Sequence, residues 1–476
     1  MRGGAAGAFG VSTEARMNMH ERRSTKLHGT ALSFSFALVA VVAACSDASP
    51  AVDDAQAVEA EYRGRHDFCG NHRCGQRETC ATCPTDCGAC VVDAGEHADA
   101  SKADSGGGGP ADASADVAVD AGGGGGASYP SVPLPATGLN YFVSASKGAD
   151  TNPGTAASPW KTIQHAASTV SHGATGVTVH VAPGTYAEGL AMSVGGTATA
   201  RVIFVSDTRW GAHVNATGHY WGWQSTGDYV DIVGFELTGS DYIGIGIGGS
   251  HDRTIDNHVH HLAAPTCNSG SGGGGIDDYE YSASDDEMIG NVVHDIGKPG
   301  CTQIQGLYHS NLGGRLVNNI VYRISGFGLH TWHNPKNVVI SNNLSFQNGA
   351  GGLVVGAGDS PGTGKAEGFV VTNNILFDNL GSGMVEEGNY GVNTYVGNLA
   401  FKNAGGNTLL ANPSTGELAI DPGFVDYKAD GSGDYHLTDA SPCRNSGTPQ
   451  GAPSADIVGA PRPQGPKVDR GPYERP

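Results

Sequence analysis

The rhythm of apolar positions changes at Leu139. From there to about residue 437, apolar side chains come in short alternating bursts divided by Gly, Asn and Asp. Alternation is the period of a strand with one face buried. The bursts also recur along the chain. An Asn precedes an apolar strand at Asn257, Asn291, Asn319, Asn343, Asn374 and Asn398, at spacings of 34, 28, 24, 31 and 24 residues. Gly234 stands 23 before Asn257 and reads as an earlier member. The two spacings of 24 give the length of a bare coil, and the longer ones carry insertions such as TCNSGSGGGG and GDSPGTGKA. Three residues beyond each Asn come His260, His294, Tyr322, Phe346, Phe377 and Phe401, a largely aromatic set. Parallel coils stacked about 4.8 Å apart bring such positions directly above one another, so Asn side chains can bond up a ladder. Propeller blades repeat at nearer 40–45 residues. The pattern therefore predicts an all-β fold, a single-stranded parallel β-helix over residues 139–437. Its first coil carries a strand at Tyr141–Ser144 and a short capping helix whose Ile163, Ala166, Ala167 and Val170 share one face.

The phrase GVTVHVAPGTYAEGL that follows this helix resembles the start of right-handed parallel β-helix proteins of the pectin-lyase-like superfamily. The closing stretch DYHLTDASPCRNSG…DIVGAPRPQGPKVDRGPYERP is similar to the end of such proteins. The resemblance implies a right-handed solenoid whose last open edge is covered by the tail, residues 438–476, and a groove on one face where polysaccharide chemistry takes place. It covers the fold, roughly residues 140–437. Neither an Arg- or Lys-centred lyase pattern nor the paired aspartates of polygalacturonases is present in its usual context, and fold alone does not deliver function.

Ahead of the solenoid the composition is different. Arg22, Arg23 and Lys26 precede the apolar run ALSFSFALVAVVAAC, too short to span a bilayer comfortably. The order resembles a bacterial lipoprotein signal over residues 1–44, which implies cleavage before Cys45, lipidation of its thiol and export to the outer membrane or cell surface. Export would place the ten cysteines in an oxidising compartment. Six of them, Cys69, Cys74, Cys80, Cys83, Cys87 and Cys90, crowd residues 67–92. A segment so short has no core of its own, so disulfides are the expected glue, with zinc as the other reading of its C-x-x-C pairs. The window resembles a small Cys-rich module of exported myxobacterial proteins. Residues 45–66 and 93–138 read as linkers, the second a disordered Gly-, Ala- and Asp-rich tether. Cys267 and Cys301 each lie ten residues past a rung Asn (Asn257 and Asn291), so stacking predicts a disulfide between them; Cys443 has no evident partner. The formal charge of −20 argues against nucleic acid as a partner and leaves the lipid as the one membrane contact of an expected monomer.

The candidate chemistry comes from aligning coils on Gly-apolar pairs: Gly275-Ile276, Gly306-Leu307, Gly328-Leu329, Gly352-Leu353 and Gly383-Met384. The next position then stacks Asp277, Tyr308 and His330; the one after stacks Asp278, His309, Thr331 and Glu386; the third stacks Tyr279, Ser310 and Trp332. With the apolar residue inside, alternation turns the first and third columns outward, and the middle one emerges only if a turn begins there. Acids, imidazoles and rings on one face are the parts that saccharide chemistry uses. The candidate catalytic set is Asp277, His309, His330, Asp278 and Glu386, with Tyr308, Trp332 and His333 to hold the sugar. The run Asp285-Asp286-Glu287 is a solvated turn or, as the alternative, a calcium site, calcium being the one cofactor considered. Two functions follow: a polysaccharide lyase or glycoside hydrolase acting on an acidic polysaccharide, or a non-catalytic glycan-binding or adhesion β-helix.

Overall fold

In the computed structural model the described residues are 129–263, 272–358 and 364–476. They form a parallel β-helix with three parallel sheets and one short helix, Ile163–Thr169. The first sheet has eleven strands, from Leu139–Val143 to Ser414–Thr415. The second has nine, from Leu190–Met192 to Thr408–Leu409, and the third nine, from Gly184–Tyr186 to Leu399–Phe401. Each coil visits the second, first and third sheets in turn. The helix buries Ile163, Ala166 and Ala167, and its Thr162 cap accepts the His165 N–H.

The Asn column is the corner between the first and third sheets. Each Oδ1 accepts the backbone N–H and the side-chain Nδ2 of the Asn one rung before, from Asn257–Asn291 through Asn374–Asn398, with Nδ2···Oδ1 distances of 2.8–3.1 Å. Each Nδ2 also donates to a strand carbonyl of an earlier rung, as Asn319 does to Met288. Such buried amides are satisfied on both ends. The residue before each ladder Asn has positive φ: Gly234, Asp256, Gly290, Asn318, Asn342, Asn373 and Gly397 lie between 54° and 73°. Only Gly, Asn and Asp enter that region cheaply, which is why the pairs read NN, DN and GN. A second ladder, Asn348–Asn379–Asn403, holds another corner.

The aromatic column stacks as expected. His260 on His294, His294 on Tyr322 and Tyr322 on Phe346 have centroid spacings of 4.9, 4.5 and 4.9 Å, with planes within 12°.

Two expectations need amendment. Residues 129–138 are folded and not part of a tether: Tyr129, Val132 and Leu134 pack on the outer face of the first sheet, and Ser131 donates through N and Oγ to Asp256 at 2.6 and 2.8 Å. Prolines at 130, 133 and 135 favour that extended path. The tail lies along the outer face of the third sheet, where a cover over the open end was expected. Tyr435, Leu437, Cys443, Ile457 and Tyr473 cluster with Ile320, Tyr322, Phe346, Ile375 and Leu399, because that apolar outer column needs shielding. Cys301 is buried and disulfide-bonded, while Cys267, Cys45 and the Cys-rich window lie outside the described residues. Cys443 is a free buried thiol pushed up to about 12 by burial. Among the described residues no helix is long and apolar enough to cross a membrane.

Candidate functional site

Strand pairing sets the columns of the second sheet directly. Asp277, Tyr308 and His330 are successive partners, and so are Asp278, His309, Thr331, Val355 and Glu386. The two columns face opposite sides of the wall. Asp278, His309 and Thr331 have no solvent exposure, so they point inside the solenoid. Asp278 and His309 pair through Oδ2 and Nδ1, and His309 Nε2 donates to the Gly313 carbonyl at 2.9 Å. This arrangement favours the imidazolium form of His309: burial lowers its pKa, and Asp278 more than reverses this to a raised value. Asp278 Oδ1 also accepts from Ser310 Oγ at 3.0 Å. Neither can touch a polymer lying on the sheet, so both leave the catalytic set; the strand runs on through them before the turn that was to expose them begins.

Glu386 leaves it too. Its carboxylate accepts from Asn393 Nδ2 at 3.0 Å, Tyr395 Oη at 2.9 Å, Asn412 Nδ2 at 2.7 Å and the Ala411 and Asn412 amides at 2.8 Å each. It fastens the turn at the last rungs. The acidic run diverges as well. Asp285 faces His251, Asp286 is buried against the Asp252 amide and Asn311, and Glu287 pairs with Arg315 at 2.7 Å. Three carboxylates aimed at three partners do not make a calcium cage.

The outward column remains. Asp277 is nearly buried, and burial followed by the charge of Asp278 holds its pKa well above the carboxylate range, which favours its protonated form. Burial, then His333, pushes His330 down to about 3, so it is a neutral imidazole. Tyr308 stands between them, its ring at 80° to that of His330 with centroids 5.0 Å apart. Among the described residues Asp277 Oδ1 and His330 Nδ1 are buried atoms without a hydrogen-bond partner. Such atoms are costly unless a ligand meets them.

Rings flank the column. Trp332 lies over Gly356 and Gly388, where an added Cβ would come 2.6 and 2.8 Å from its indole. Trp221 and Tyr279 occupy the space over Gly246 in the same way. Trp221 and Tyr279 have centroids 5.0 Å apart, Tyr220 stacks on Tyr242 at 4.5 Å, and His333 stacks on Tyr281 at 3.8 Å. Tyr220 and Tyr281 are exposed at 56% and 47%, unusual for large rings. The sequence reading found Tyr308, Trp332 and His333 but missed Tyr220, Trp221, Tyr242 and Tyr281. The signal was there, because Gly222-Trp223 and Gly244-Ile245 are the same Gly-apolar pair two and one rungs before Gly275-Ile276. Two clefts, of about 450 and 410 Å³, lie by Tyr129 on the first sheet, away from this face.

Residues 146–192 match a family described as a protein of unknown function (DUF1565). Pectate lyase L of Dickeya dadantii (strain 3937) and of Dickeya chrysanthemi are each 27% identical over 197 residues, 38% of this chain and 44% of theirs. The match thus spans less than half the length of these relatives. The crystal structure of pectate lyase Pel9A superimposes with a TM-score of 0.53 at 19% identity, over 72% of this chain and 98% of that one. The chain has the pectate-lyase-like parallel β-helix fold.

Proposed function

We propose that this protein is a polysaccharide lyase that binds an acidic polysaccharide along the outer face of its second sheet. The observation that carries the reading is the outward column Asp277–Tyr308–His330, an acid with a raised pKa, a phenol and an imidazole with a lowered one, bordered by rings. β-Elimination at a uronate needs a base for the C5 proton, a donor to the carboxylate that acidifies it, and an acid for the departing O4. His330 serves as base, since its imidazole stays neutral above about pH 3. Asp277 supplies a donor without adding a negative charge beside the uronate. Tyr308, between them, is in reach of the leaving oxygen. A glycoside hydrolase would want two carboxyl groups, and the outward column from Ala191 through Gln224, Gly246, Asp277, Tyr308, His330, Val354 and Val385 to Leu409 contains one. That column also has no Arg or Lys, so the assay is run with calcium and with chelator. The known lyases named above support the same chemistry by similarity.

The test is cleavage of a panel of uronate polymers, followed by ultraviolet absorbance of the unsaturated product and by reducing ends. His330→Ala should lower turnover by roughly 10²–10⁴-fold with circular dichroism unchanged, and Trp332→Ala should chiefly raise KM. The pH profile should keep its acid limb low, near 3, and fall on the alkaline side as Asp277 ionises. Full activity in His330→Ala sinks the assignment. No cleavage by the parent, with glycan binding that survives His330→Ala, makes the face a binding module. Delivery by an N-terminal lipid at Cys45 belongs to the same proposal, and Cys45→Ala should move the protein out of the membrane fraction.

A further inference from the structure

We infer that His258, His260 and His294 form a binding site for a divalent transition metal ion, zinc first among them, on the outer face of the third sheet. His258 and His260 are two apart on the strand His258–His260, so both side chains leave the same face. His294 is the direct partner of His260 on the next rung. The three ring centroids form a triangle with sides of 4.2, 4.9 and 4.9 Å, and one ligand nitrogen from each lies within 4.8 Å of the others. Nε2 of His258 and Nε2 of His294 are 2.7 Å apart. A tetrahedral ion with bonds of about 2.0–2.1 Å holds its nitrogens roughly 3.3 Å apart, so small rotations of the rings suffice.

The surroundings have the form that supports imidazole ligands. Asp295 Oδ2 takes the Nδ1 proton of His294 at 2.7 Å, which fixes the tautomer with its lone pair on Nε2, toward His258. Glu236 Oε1 lies 3.2 Å from His260 Nε2. His260 Nδ1 lies 2.7 Å from His261 Nδ1, so an ion would take the place of one of these two contacts. Arg209 and Arg323 stand near by, and each faces a carboxylate, Asp256 or Asp295. His261 completes a second, overlapping group with His294 and Asp295 on the exposed side. Nitrogen donors select zinc and its neighbours over calcium.

The stacked column alone does not account for His258. Its own column continues as Val292, Ile320, Leu344, Ile375 and Leu399, all apolar. On the earlier rungs the same column holds Glu236 and His213, so its polar run ends at His258, where the imidazole meets the other two. An ion at this point would clip two successive rungs on the flank away from the aromatic face, as a structural site independent of the proposed lyase chemistry.

The experiment uses the full-length protein, stripped with chelator under non-reducing conditions so that its disulfides persist. Zinc is titrated in competition with a chromogenic chelator, and cobalt(II) is followed by its visible spectrum. One equivalent should bind, with tetrahedral cobalt bands and no thiolate charge-transfer band, which separates this site from the cysteine window. His258→Leu is the informative variant, because leucine already fills that column at residue 344 and the fold should hold. It should lower zinc affinity by about 100-fold or more, and Asp295→Asn by about 10–100-fold. Zinc should also raise the unfolding midpoint of the parent but not that of His258→Leu. No stoichiometric binding, a thiolate-type cobalt spectrum, or unchanged affinity in His258→Leu overturns the inference.

Discussion

Asp277 and Asp278 follow one another in the chain and face opposite sides of one wall. One has its pKa pushed up by burial beneath rings, the other pairs with a buried imidazole whose pKa it raises. Burying a charge is tolerated only with partners, and the inner side supplies His309 and Ser310. Asp286 sits in the same inner cluster. Burial first, and then Asp278, raises its pKa from 3.8 to about 8. An acid whose folded pKa is raised contributes stability that is complete below the unfolded value and lost as pH climbs through the folded one. Stability should therefore decline between about pH 4 and pH 8 on account of this residue. Asp286→Asn should remove that part of the slope. An Asn there can still accept the Asp252 N–H, and Asn311 can turn its buried, unpartnered Oδ1 to meet the new amide. Urea unfolding across this pH range checks it; a variant slope equal to the parent's would place the titration elsewhere.

At the scale of the element, the coil corner separates two jobs that one pair of residues performs. Asn318 supplies a left-handed φ of 59° and two bonds to the tail, donating to the Ala455 carbonyl and accepting from Arg462 Nη2, whereas Asn319 is the ladder member. Asn318→Gly should cost about 1–2 kcal/mol, from those two bonds alone, since Gly holds that backbone position on three other rungs. Asn319→Ala removes the Oδ1 that serves Asn291 N and Nδ2 and the Nδ2 that serves Met288 O. At about 1–3 kcal/mol for each buried group left unpaired, it should cost roughly 3 kcal/mol or more. Chemical denaturation of the two variants side by side decides the matter. These corners were legible in the sequence because a ladder forces the same residue type at a fixed spacing, and the 34, 28, 24, 31 and 24 spacings recur as its hydrogen bonds. The column register of Asp277, Tyr308 and His330 was legible for the same reason. Which column faced out at the strand end was not, because it depends on whether the strand continues past Asp278. The three-His cluster escaped because two of its members read as rungs of the aromatic stack, and the third belongs to another column.

For the molecule as a whole, the stacking that makes the solenoid also creates a problem along its side. From Val292 on, each rung adds one more apolar residue to the outer columns of the third sheet, and stacking alone leaves them in water. Val292, Ile320, Leu344, Ile375 and Leu399 line one such column, and Tyr322, Phe346 and Phe377 the next. The tail answers with Tyr435, Leu437, Ile457 and Tyr473, and it is tied down by polar bonds that span the coils: Asn342 Nδ2 to the Asp469 and Gly471 carbonyls, Asn373 Nδ2 to the Thr448 carbonyl, and Arg470 to the Asn398 and Gly416 carbonyls. The buried Arg462–Glu474 pair closes the tail on itself at 2.7 Å. A strap along the side and a lid over the end make different demands on a truncated chain. Removing residues 439–476 should bare the stripe from Ile320 to Leu399, and the protein should bind a hydrophobic dye strongly and self-associate. Arg462→Ala should give a weaker form of the same phenotype, because Glu474 keeps the Gln464 and Asp469 amides but loses its buried counter-charge within the strap. Size-exclusion chromatography with dye fluorescence reads both. A truncated chain that stays monomeric and dark would mean that the third sheet does not depend on the tail for its cover.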